Sequence, residues 1–169
     1  MANFSLRQLG HTVRVVRGDL PLDPGLHTIV ITGALLDLRE VNALDAWVRS
    51  GRTLIWHGPD PVNWGHEYIA LLGARPVDYR ADRPATIELF GDRWTLDAYP
   101  HNMRAELIPD RATTLAADQD GLPTVLTHHV GLGKVVYALP VVESSIASVA
   151  DDRDARSRWQ RWYRGMLQS

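Results

Sequence analysis

The chain has 169 residues, with 18 Lys and Arg against 20 Asp and Glu for a formal net charge of -2, and it contains no Cys. That length and a hydrophobic fraction of 45% suffice for one well-cored domain, while the balanced charge argues against a general nucleic-acid surface, which needs a clustered basic excess. Disulfide and thiolate chemistry are excluded, and no run approaches the roughly 20 apolar residues of a membrane span or forms a signal-peptide core, so a soluble, cytoplasmic chain without nucleic-acid or membrane partners is expected.

Phe4 to Gly10 reads as the last turns of a helix, with Leu6 and Leu9 inward and Gly10 as its stop. Val13 to Val16 follows as a strand. An alternating α/β domain normally opens with a strand before its first helix, so the chain reads as a segment of a longer protein. Thr28-Ile29-Val30-Ile31-Thr32, ending at Gly33, is the β-branched run of a strand covered on both faces. From Leu38 to Ser50, Val41, Leu44, Trp47 and Val48 recur at spacings of three and four, which predicts an amphipathic helix with one buried face. Asp37 suits its N-cap, and Glu40 three residues on completes a capping-box pattern.

Gly51 ends that helix and leads through a short buried strand to His57-Gly58-Pro59-Asp60. The strand, helix, parallel strand unit creates a crevice at its carboxyl ends, lined by Gly33-Ala34-Leu35 and His57 to Asp60, where α/β proteins keep their chemistry. Neither a thiol nor a Gly-x-Ser-x-Gly elbow supplies a nucleophile there.

Asn63 to Leu72 predicts a short helix stopped by Gly73. Residues 77–117 read as a β-rich antiparallel insertion within a single domain. In it Ala85 to Phe90 and Arg93 to Leu96 form a hairpin around Gly91-Asp92. Pro123 to His129 and Gly133 to Leu139 make a second hairpin around Val130-Gly131-Leu132-Gly133. Gly131-Leu132-Gly133-Lys134 lacks the spacing of a phosphate loop and opens no helix, so it is read as a turn. Asp154 to Leu167 closes as a helix that docks Trp159, Trp162, Tyr163 and Met166.

In this order, Arg7-Gln8-Leu9-Gly10, Val13 to Val16, Thr28 to Ala34 and Ala46 to Ile55 resemble the class I glutamine amidotransferase-like superfamily. The segment from Pro123 to Tyr137, with its Gly-x-Gly-Lys hairpin, is most similar to a noncatalytic branch, the trimerisation domain of bacterial family 42 beta-galactosidases. The fold expected is an α/β, flavodoxin-like three-layer sandwich with a mainly parallel sheet and the antiparallel insertion. Catalytic relatives end the strand after the Gly51-like turn at a Cys; here the bend falls at His57-Gly58, which removes the acyl-transfer mechanism. The resemblance implies a noncatalytic domain beside a glycosidase barrel, whose partners are the remainder of the parent polypeptide, identical subunits or carbohydrate.

Other residues offer alternatives. His57, Asp60 and His66 lie near one strand end, with His128-His129 on a neighbour, so a metal-assisted hydrolase is one reading. Adjacent strand residues face opposite ways, however, which separates His128 from His129, and the expected cofactor and metal content is none. Asp37, Glu40, Asp60, Glu67 and Glu143 are carboxylates that a glycoside hydrolase would need in pairs. Of six Trp, Trp47, Trp159 and Trp162 sit at helical core spacing and Trp56 in the buried strand. That leaves Trp64 and Trp94, on a loop and a hairpin, as exposed ligand or partner contacts beside His57 and Asp60, as in a carbohydrate-binding module.

Overall fold

The computed structural model describes residues 6–7, 9–12, 22–32, 36–58, 65–81, 85–96, 103–139 and 153–169. In chain order the elements are β1 (Thr28–Thr32), α1 (Leu38–Arg49), β2 (Thr53–His57), α2 (His66–Leu72), β3 (Ala74–Ala81), β4 (Ala85–Leu89), β5 (Asp92–Leu96), β6 (Met103–Pro109), β7 (Thr113–Ala117), β8 (Pro123–Val130), β9 (Gly133–Ala138) and α3 (Arg153–Gln168). Before β1, Leu6 and Arg7 are helical, and the Gly10 and His11 amides return to the carbonyls of Arg7 and Leu6, so the turn ends where Gly10 placed it. The strand expected at Val13 to Val16 lies outside the described residues.

The main sheet has the order β1-β2-β9-β8-β7. β1 with β2 and β2 with β9 pair in parallel, whereas β9 with β8 and β8 with β7 pair antiparallel. β3 with β6 and β4 with β5 add two antiparallel ribbons. The fold is therefore mixed α/β, and the expectation of a mainly parallel sheet is corrected. The physical reason is the hairpin from Pro123 to Ala138: its tight turn forces β8 antiparallel to β9, and β8 brings β7 with it. β1 is also less covered than its composition implied: only Ile29 is buried, and in the described sheet β1 is an edge strand paired with β2.

Separate apolar clusters cover the two faces of the sheet. Leu54 and Trp56 of β2 and Val135 and Tyr137 of β9 pack with Val41, Leu44, Trp47 and Val48 of α1 and with Tyr68, Leu71 and Leu72 of α2. The alternate residues Ile55, Val136 and Ala138 pack with Trp159, Trp162, Tyr163 and Met166 of α3 and with Ile87, Leu89 and Trp94 of the β4–β5 hairpin. Burial on both faces is why β2 and β9 read as near-continuous apolar runs. α1 begins as its sequence dictates: the Glu40 amide donates to Asp37 Oδ1 at 2.8 Å and the Asp37 amide to Glu40 Oε2 at 2.7 Å, a complete capping box.

The Gly-x-Gly-Lys segment is the turn of the β8–β9 hairpin, with Val130 opposite Gly133. Its glycines are required by a close backbone approach. A Cβ on Gly133 would lie 2.1 Å from the Val48 carbonyl oxygen and 2.3 Å from that of Arg52, and one on Gly131 would lie 2.8 Å from that of Arg49. In return the Leu132 and Lys134 amides donate to Arg49 and Arg52 oxygens at 3.1 and 3.0 Å, fastening the hairpin to the end of α1. Arg52 stiffens the same end, its guanidinium donating to the Leu26 and Pro24 carbonyls and to the Ser50 hydroxyl.

Candidate functional site

β2 carries His57 to the carboxyl end of the parallel strands, beside Ala138 of β9, where the Gly58 amide donates to the Ala138 carbonyl at 2.8 Å. Strand alternation turns His57 toward α3. Its ring is fully buried, 5.6 Å from the ring of Tyr163 and 6.2 Å from that of Trp162. Trp162 Nε1 donates to His57 Nε2 at 3.4 Å. An indole N–H can only donate, so Nε2 is unprotonated and Nδ1 carries the hydrogen of the neutral ring. Nδ1 has no hydrogen-bond partner among the described residues. Burial without a compensating charge lowers the His57 pKa to about 3, so this imidazole is neutral at physiological pH and is a packing element of the α3 interface.

Among the described residues the other candidate histidines, His66, His128 and His129, do not join it. His66 is exposed at the start of α2, whose buried residues Tyr68, Leu71 and Leu72 belong to the opposite sheet face from the cluster around His57's neighbour Trp162. His128 is buried with Nδ1 3.1 Å from the Leu71 carbonyl, whereas His129 is exposed, as strand alternation requires. Among the described residues no three His, Asp or Glu side chains converge on a point that could hold a metal ion. Asp37 and Glu40 are engaged in the cap of α1. Asp60, Trp64 and Glu143 lie outside the described residues.

Trp94 departs from the expectation of exposure. It is 3% exposed, with its ring centroid 4.9 Å from that of Trp159 and 5.0 Å from that of Trp162, and its Nε1 donates to the Leu89 carbonyl at 3.1 Å. The reason is α3, which lies over the hairpin and converts an outward ring into the centre of an aromatic cluster. Arg158 stacks above the Trp94 ring at 4.9 Å and also donates to the Arg93 carbonyl. Arg161 grips Asp92 with two bonds, at 2.6 and 2.9 Å, and these hold the Asp92 carboxyl below the usual carboxylate range. Trp47, Trp56, Trp159 and Trp162 are all buried.

The hairpin turn also falls one residue earlier than Gly91-Asp92. Leu89 pairs with Asp92, leaving Phe90 and Gly91 at the centre with φ of 53° and 79°. Two successive left-handed residues make a turn of the I′ kind, which matches strand twist but is unusual for a Phe. The Phe90 ring lies against Gly165 of α3, where a Cβ would be 2.4 Å from its Cγ and Cδ2, and stands edge-on to Trp162 at 6.4 Å. Sequence reading missed this joint. A glycine inside an otherwise helical Trp and Tyr pattern was its one available signal, since such a glycine usually has a packing reason.

No protein-family model matches the chain, and no curated relative does. Among solved structures the chain is similar to exo-beta-1,4-mannosidase Op5Man5 from Opitutaceae bacterium strain TAV5, at 37% identity and a TM-score of 0.90 over 97% of this chain and 30% of that one. The GH42 beta-galactosidase Gan42B of G. stearothermophilus, in its E323A catalytic mutant, shares the fold at 14% identity and a TM-score of 0.54, over 79% of this chain and 19% of that one. Cytoplasmic Protein STM3548 from Salmonella typhimurium shares it at 14% identity and a TM-score of 0.60, over 81% of this chain and 73% of that one. The chain thus spans less than a third of the two glycoside hydrolases, and its likeness to them is that of one unit within a longer polypeptide.

Proposed function

We propose that this chain is a noncatalytic accessory unit of a bacterial glycoside hydrolase that supports subunit assembly or the rim of the sugar site. The observation that carries the reading is the match to the mannosidase, near-complete for this chain and confined to 30% of that enzyme. The buried, neutral His57 agrees with it, because a ring enclosed by Trp162 and Tyr163 is poorly placed to handle a substrate proton. On this reading the domain is a single amidotransferase-like, flavodoxin-like unit with residues 77–117 inserted in it. Its partners are the remainder of the parent polypeptide or identical subunits, with carbohydrate at the rim, and its location is cytoplasmic. Among the described residues no helix is long and apolar enough to cross a membrane.

Light scattering over a range of concentrations tests the assembly role. A discrete dimer or trimer supports it. A strict monomer at every concentration removes self-assembly and leaves contact with the rest of the polypeptide as the whole of the role.

A further inference from the structure

We draw no further inference here: the strongest candidate, the surface patch on the β3–β6 ribbon where Val77, at the bulge, and Ile108, opposite Arg75, are exposed, carries nothing because nothing in the structure shows what covers it.

Discussion

Gly165→Ala is expected to destabilise the protein, against the ordinary behaviour of helices. In a helix interior the change usually gains about 0.8–1.0 kcal/mol. Here the added methyl would sit 2.4 Å from Phe90 Cγ and Cδ2 and 2.6 Å from Cδ1. These are the root and flanks of the ring, so only a shift of the whole side chain relieves the clash, and Phe90 is fixed by its turn and by Trp162. Overpacking of this kind costs about 1–3 kcal/mol, and with the ring unable to swing aside we take the upper half, for a net loss of about 1–2 kcal/mol. The background variant Phe90→Ala removes the obstacle, and there Gly165→Ala should regain about 0.5–1 kcal/mol. Urea unfolding followed by tryptophan fluorescence, read as a midpoint shift at unchanged slope, measures all four corners of the cycle. A higher midpoint for Gly165→Ala in the otherwise native chain would refute the reasoning.

Acid should weaken the fold through His57. Its folded pKa of about 3 lies below the ordinary 6.5, so as pH falls between those values the unfolded chain takes up a proton that the folded chain refuses. Stability then drops by up to about 1.4 kcal/mol per pH unit in that window, and His57→Phe should flatten the slope of urea midpoints measured from pH 7 to 4.5. Gly133→Ala, whose methyl would lie 2.1 Å from the Val48 oxygen, should cost more than about 4 kcal/mol, seen as loss of cooperative thermal unfolding. Asp37→Ala, which opens the capping box, should cost about 1 kcal/mol in the same urea assay.

What could be read from the amino-acid sequence was local. The face of α1 followed from Val41, Leu44, Trp47 and Val48, and its cap from Asp37 and Glu40, because each is settled within four residues. The β8–β9 turn followed from Gly131 and Gly133, although the sequence did not say that α1 was what required them. The antiparallel step from β8 to β9 was local too, but the neighbour of β9 across the sheet was not. β9 lies beside β2, some 80 positions earlier, and no periodicity in either strand encodes that adjacency. Trp94 was misplaced for the same reason, since its burial depends on Trp159, Trp162 and Arg158. The neutrality of His57 likewise needs Trp162 and Tyr163 to be brought over it.

Hydrolysis of aryl β-mannosides and β-galactosides by the purified chain tests the central claim most directly. The account predicts no turnover above the spontaneous rate at high protein concentration. Turnover that saturates with substrate and is abolished by Asp60→Asn or Glu67→Gln would contradict it.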